Sequence, residues 1–336
     1  MSEFSSILPI ESNTGEPQDG ISGDERDPKF VSMMPMYSQE TSSELEAQER
    51  ALITAELGLS GPEGIVFDDE GWGSRVYLVN DGETVYKFPR SPEVMQGYAK
   101  EIAALVLLGT VETNVITQQF KRFDPSNRYF SYQGIIGTQL SELLESLEVD
   151  EKERIGGQIG SFLKQFHGLD MDNVPTVTAT DEVEEYKDKY RLSLPVIKSE
   201  FSPEEQSTIA ALFLELLPAE MARLGDDIRL CHGDLGSYNI IIGEDGSVGI
   251  IDFGNVGYYD QSKDFIDFGD NAILNAAFEA YGDTALLRAK TAIRMAALPA
   301  IDLVYYTSKK DNQGINATVG KLRSSLRSLP NNVGDI

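Results

Sequence analysis

Apolar and polar positions fall first into a helical period and then into short alternating runs. Residues 43–57 place Leu45, Ala51, Leu52 and Ala55 at helical spacing, and Gly58 followed by Gly61-Pro62 ends the helix. Three short runs rich in β-branched and aromatic residues follow at 64–68, 75–80 and 84–88. Asp81-Gly82 joins the last two as a hairpin, because both residues tolerate positive φ. Residues 91–108 return to a helical period, with Ser91 as N-cap and Pro92 at the first helical position. Two more strands are expected at 115–123 and 129–135. From Gly137 onward the pattern is mainly helical, with helices over 140–147, 150–167, 181–199, 202–224, 263–281, 283–308 and 316–328. Short strands interrupt it at 229–231, 239–242 and 248–251, the last pair joined by Gly243-Glu244-Asp245-Gly246.

This order predicts an α+β chain of two lobes. Residues 44–135 form a small N-lobe of antiparallel strands with one main helix, and residues 136–330 form a larger, mainly helical C-lobe with a helical insert at about 170–226. Residues 1–43, rich in Ser, Glu, Asp, Gly and Pro, read as an acidic disordered tail.

Composition narrows the class. The 336 residues suffice for two lobes with their own cores, and 41% hydrophobic content fits a globular protein. No uncharged apolar stretch approaches the roughly 18 residues a membrane span needs. The first thirty residues lack a basic start followed by an apolar core, so no secretory signal is expected. Cys231 is the only cysteine, which rules out an intramolecular disulfide and a Cys-based zinc site. These features suit the cytoplasm. The net charge of −27 argues against binding nucleic acid through its backbone. It either attracts a cationic partner or serves solubility, including adaptation to high salt; the spread of acids along the whole chain favours solubility.

Candidate chemistry concentrates in His232-Gly233-Asp234-Leu235-Gly236-Ser237-Tyr238-Asn239 and in Ile251-Asp252-Phe253-Gly254. Phosphoryl transfer needs few protein groups: one carboxylate to take the acceptor hydroxyl's proton, and oxygen ligands for Mg²⁺. Asp234 fits the base, and Asn239 and Asp252 fit the metal ligands. Gly71-Trp72-Gly73-Ser74 lies in the turn between the first two strands, where backbone N–H groups can cover phosphates. As a motif it is weak, and its position ahead of Lys87 gives it weight.

His-Gly-Asp, an Asn five residues after the Asp, and Ile-Asp-Phe-Gly together resemble the aminoglycoside phosphotransferase family, within the protein-kinase-like superfamily. The similarity continues through Asp260 and Asp264-Phe265, the run Gly71 to Val79, Phe162-Leu163 with Phe166-His167, and Lys87-Phe88-Pro89-Arg90. The last run resembles the 2″-aminoglycoside branch most. The similarity spans about Ile65 to Leu329 and is weakest between Asp170 and Asp226. It implies a two-lobed protein-kinase-like fold with ATP or GTP as phosphate donor and Mg²⁺ as cofactor. It also implies that Lys87 binds the α- and β-phosphates, held by Glu101, with Glu93 as a weaker alternative partner.

Other residues are read as structural. Asp267-Phe268-Gly269 repeats the letters of the metal loop, but follows an expected helix start and has no Asn at the right distance upstream. His232 is expected to scaffold the catalytic loop, His167 to pack or to complement a helix C-terminus, and Cys231 to be inert on a buried strand. Trp72 either contacts substrate or loop, or packs on the lobe.

A protein substrate is disfavoured. Gly233 stands where protein kinases have Arg, no Ala-Pro-Glu segment follows Asp252, and ten residues separate Asp252 from the helix expected at Ser262. The insert is placed to wall off a small-molecule pocket. Its acidic start, Asp181-Glu182-Val183-Glu184-Glu185, either faces a polycationic acceptor or is a solvated helix face. Asp267 and Asp270 are the better substrate-facing candidates by position. The leading acceptor is an aminoglycoside; a macrolide, choline, homoserine or a sugar amine stays open, as does a pseudokinase that holds nucleotide without turnover. The oligomeric state is not legible.

Overall fold

In this computed structural model the described residues are 42–328, apart from 70, 72, 125 and 127. Most of the expected acidic tail, Trp72 and the end of the expected C-lobe therefore lie outside the described residues. In chain order the N-lobe elements are α1 (Ser43–Leu57), β1 (Ile65–Asp68), β2 (Ser74–Val79), β3 (Thr84–Pro89), α2 (Pro92–Leu108), β4 (Ile116–Thr117), β5 (Gln119–Phe123) and β6 (Phe130–Gln133). There follow β7 (Thr138–Gln139), α3 (Leu140–Leu143), α4 (Val149–Phe166), α5 (Ala179–Glu200), α6 (Pro203–Ala211), α7 (Leu217–Leu224) and β8 (Ile228–Cys231). The chain ends with β9 (Ile240–Ile242), β10 (Val248–Ile250), β11 (Gly257–Asp260), α8 (Asn271–Tyr281), α9 (Ala285–Ser308) and α10 (Asn312–Ser328).

The N-lobe is a five-stranded sheet of order β1-β2-β3-β6-β5, antiparallel throughout. One of its faces packs Tyr77, Tyr86, Phe88 and Tyr129 with Ile53 of α1. Helix α1 adds polar ties to that face: Glu49 accepts from the Arg75 guanidinium at 2.7 Å and from the Tyr77 hydroxyl at 2.8 Å, and Glu56 accepts from Tyr86. Helix α2 starts as its sequence dictates, with the Ser91 hydroxyl accepting from Val94 N. The main core runs from Tyr98 and Leu105 on α2 through Phe130 and Tyr132 of β6 to Phe162 and Phe166 of α4 and Phe278 of α8. It thus joins the two lobes below the cleft.

Helices α4 and α8 pack closely because α4 carries Gly156 and Gly160. A Cβ on either would lie 2.2 Å from Ile273 O or 2.1 Å from Ala277 O. A second core joins the insert helices α5, α6 and α7 to α9 and α10 through Tyr186, Phe213, Leu217, Ala297 and Leu322. Beneath it lies a buried ion network. Glu182 receives Arg294 at 2.7 Å, and Asp260 receives Lys290 at 2.7 Å.

The structure departs from the expected elements where tertiary pairing overrides local pattern. The run 115–123 is two strands: β4 pairs in parallel with β10, and β5 pairs with β6. The break falls at Gln118, whose buried amide oxygen accepts from Asp252 N at 3.0 Å. The helix expected over 202–224 contains a π-helical turn, Leu212–Leu216, before Pro218. Proline lacks the N–H that would continue the ladder, and the widened turn absorbs that loss. The helix expected over 263–281 is overturned. A 3₁₀ turn, Gln261–Phe265, is followed by a break with Gly269 at φ 74°, and α8 starts only at Asn271 with Asp270 as N-cap. Strand β11, antiparallel to β8, fills the space between the metal loop and that turn.

Candidate active site

The hairpin β9–β10 sets the spacing of the site. Asn239 precedes β9 and Ile251 follows β10, and Ile251 N donates to Asn239 O at 3.0 Å, so Asp252 stands beside Asn239. The Asn239 amide nitrogen donates to the backbone oxygen of Asp234 at 2.9 Å, which fixes the loop between them. That bond also fixes the amide's orientation and leaves its carbonyl oxygen as an acceptor. Asp252 sits at φ 63°, where its side chain accepts from Gly254 N. A carboxylate and an amide oxygen side by side form a hard donor set that suits Mg²⁺ completed by phosphates and water.

Behind Asp252 the Lys87 ammonium bridges both lobes. It donates to Glu101 Oε1 at 2.8 Å and to Asp252 Oδ1 at 2.9 Å. Burial alone would lower the Lys87 pKa, but Asp252 and Glu101 outweigh it and hold Lys87 firmly charged. Burial likewise opposes the charge on Asp252, yet Lys87 keeps that carboxyl below the usual range. Glu101 goes the other way, its carboxyl raised by burial despite Lys87. Glu93 takes no part; its partner is Ser91.

Both oxygens of the Asp234 carboxylate carry donors: Oδ1 takes the Tyr238 hydroxyl at 2.8 Å, and Oδ2 takes the Asn255 amide at 3.3 Å. Burial raises its pKa, with Asp252 adding to the rise and Tyr238 and His232 opposing it. The loop under it is pinned by Asp264, which accepts from His232 N and Gly233 N, both at 2.8 Å. His167 Nε2 lies 3.0 Å from the same carboxylate, so this histidine supports the catalytic loop through Asp264. His232 is fully buried, with Nε2 2.9 Å from Ile251 O and Nδ1 accepting from Asp234 N, a scaffold. Cys231 is buried and its thiol pKa is pushed up by burial. His167, Cys231 and Asp264 place ligand-type atoms within 4.8 Å of one another. Their hydrogen bonds to the loop and to backbone account for that grouping.

The glycine loop is held from within its own lobe. Arg90 donates to Gly71 O at 3.1 Å and to Asp69 O at 3.0 Å, and its backbone N–H bonds Gly73 O at 2.9 Å. The Ser74 hydroxyl is 2.8 Å from the Tyr98 hydroxyl and is buried in the lobe interior.

The acceptor-side candidates separate. Asp270 caps α8 through Ala272 N at 2.7 Å and pairs with Lys152 at 2.9 Å, which gives it a structural task. In the acidic start of the insert, Asp181, Glu184 and Glu185 are exposed, in line with the solvated helix face, one of the two readings. Asp181 closes a capping box with Thr178, and Glu182 is buried on Arg294. Asp267 does lie near the base. Its backbone oxygen accepts from Ser237 N at 2.9 Å. Burial and the neighbouring Asp302, with Asp234 adding and Lys321 opposing, push its carboxyl up to about 7. Sequence reasoning missed Tyr238, Asn255 and Asp302. The first stands inside the motif, between Asp234 and Asn239, and its place there was the available signal.

The sequence profile of the phosphotransferase enzyme family matches residues 64–296. Among solved structures, the GDP and kanamycin complex of an APH(2″) enzyme superposes with a TM-score of 0.67 at 20% identity, covering 83% of this chain and 98% of that one. The macrolide 2′-phosphotransferase MphH from Brachybacterium faecium gives a TM-score of 0.55 at 19% identity, covering 84% and 99%. The choline kinase LicA from Streptococcus pneumoniae gives 0.58 at 16%, covering 85% and 100%. All three are similar in fold. The chain has the kinase-like two-lobed architecture, and it belongs to the phosphotransferase enzyme family.

Proposed function

We propose that this phosphotransferase moves the γ-phosphate of ATP or GTP to a hydroxyl of a small cationic molecule, with an aminoglycoside as the leading acceptor. Asp234 takes the acceptor's proton as the acceptor oxygen bonds to the γ-phosphorus. The bond from that phosphorus to the bridging oxygen breaks, and its electron pair leaves on the nucleoside diphosphate. Lys87, braced by Glu101, binds the α- and β-phosphates, and the loop at Gly71 and Ser74 covers them through its backbone. Asn239 and Asp252 hold Mg²⁺, which when bound neutralises charge on the phosphates. The protein acts in the cytoplasm; among the described residues no helix is long and apolar enough to cross a membrane.

The observation that carries the acceptor class is Asp267, whose backbone oxygen accepts from Ser237 N in the loop that carries Asp234, with the Asp302 carboxyl close enough to raise it. Each carboxyl is raised by burial, and Asp302 raises Asp267 further. An acceptor bearing ammonium groups relieves that repulsion. A macrolide, choline, homoserine or a sugar amine as acceptor would use the same chemistry. The intact set Lys87, Asp234, Asn239 and Asp252 argues against a pseudokinase.

Labelled ATP and GTP with Mg²⁺ and a panel of aminoglycosides should give phosphorylated product, and Asp234→Asn should lower transfer by about 10²–10⁴-fold. Transfer only to an acceptor without cationic groups would overturn the acceptor class. Nucleotide binding with no transfer to any acceptor would overturn the kinase reading.

A further inference from the structure

We propose that Tyr238 occupies the acceptor hydroxyl's place on Asp234 while no acceptor is bound, and thereby holds off transfer of the phosphate to water. The inference rests on the reading of Asp234 as the base.

Three observations carry it. First, the Tyr238 hydroxyl donates to Asp234 Oδ1 at 2.8 Å, the contact an acceptor hydroxyl must make. The other carboxylate oxygen holds Asn255, and the Asp234 backbone oxygen holds Asn239, so a nucleophile approaching Oδ1 competes with the phenol for that oxygen. Second, the Tyr238 ring is 40% exposed, outside both cores, and can swing away without opening packed structure. Third, the ring lies over Gly236. A Cβ at that position would come within 2.4 Å of Tyr238 Cε1, although Gly236 at φ −118° has a backbone that any residue adopts. The glycine is needed for the ring's position rather than for the loop's conformation.

In hydrolysis, water's oxygen would bond to the γ-phosphorus and its proton would pass to Asp234. The bond to the bridging oxygen would break with its electron pair on the nucleoside diphosphate. Water competes with the phenol for Oδ1, and it brings no other contacts to offset the loss of that bond. An acceptor molecule does, because binding of its remaining groups offsets the displaced hydrogen bond.

The test is phosphate release from MgATP and MgGTP without acceptor, beside nucleotide binding measured separately. Tyr238→Phe should raise release about tenfold or more, the worth of one hydrogen bond to a charged group. Gly236→Ala, which pushes the ring aside and keeps the phenol, should raise it as well. Asp234→Asn should remove the rise in either background. Unchanged release from a variant that binds nucleotide would overturn the proposal and leave the kinase reading standing. So would transfer of label to Tyr238 itself, which would make it an acceptor. No nucleotide binding in the wild type would overturn both.

Discussion

Lys87 and Glu101 meet at 2.8 Å with side chains only 7% and 2% exposed, one from β3 and the other from α2. An ion pair so placed holds its helix to its sheet, and removing Lys87 leaves Glu101 buried and unpaired. Lys87→Met should therefore cost about 3–5 kcal/mol in denaturant unfolding. Lys87→Met with Glu101→Leu should recover most of that loss. Transfer activity should be absent from both proteins, which separates the stability role from the chemical one.

The legible parts of this fold are those specified locally. Ser91 and Pro92 set the start of α2, Gly58 at φ 64° ends α1, and the hairpin of β2 and β3 turns through Asn80, Asp81 and Gly82 at positive φ. Asp234, Asn239 and Asp252 were legible because one short hairpin brings them together. What was not legible depended on distant pairing. Strand β11 exists because β8 pairs with it, Gln118 divides β4 from β5 to reach Asp252, and Asp302 arrives at the cleft from α9. Of the acids that open the insert, Glu182 alone leaves the solvated face, because composition does not tell a solvated carboxylate from one buried on Arg294.

Asp264 receives two backbone N–H groups of the catalytic loop and lies against His167. An amide in its place offers one acceptor oxygen and leaves at least one buried donor unmet. Asp264→Asn should cost about 1–3 kcal/mol and lower kcat more than it raises the nucleotide KM. The sign with pH follows from its titration. Burial would raise this carboxyl, but His167 and the loop N–H groups hold it below its ordinary 3.8. Its contribution is present above about pH 4 and is lost as pH falls below that, so wild type and variant should converge in acid unfolding.

Gly233 occupies the position before the base with φ 83°, and a Cβ there would lie 2.4 Å from Asn255 O. Both the backbone and the space forbid a side chain. Gly233→Ala should lower stability by about 1–3 kcal/mol and depress kcat, since Asn255 must move and Asn255 also bonds Asp234. A thermal melt beside a kcat measurement checks this. Wild-type values would mean that the loop relaxes freely.

Asp267 gives the cleft a pH dependence of definite sign. Its carboxyl, ordinarily at 3.8, is raised to about 7 in the folded protein by burial and by Asp302. The folded state therefore binds this proton more tightly than the unfolded one, and stability falls as pH rises from about 4 through about 7. Asp267→Asn should raise Tm at pH 8 relative to wild type and leave the difference small near pH 4. A cationic acceptor acts on the same group in the opposite direction, because it favours the ionised form. Its KM in the wild type should fall as pH rises through about 7, provided its amines stay charged, and it should be flatter in Asp267→Asn. An acceptor without cationic groups would lack that dependence in both proteins. The pH profile of KM thus reports the acceptor's charge even before its regiochemistry is known.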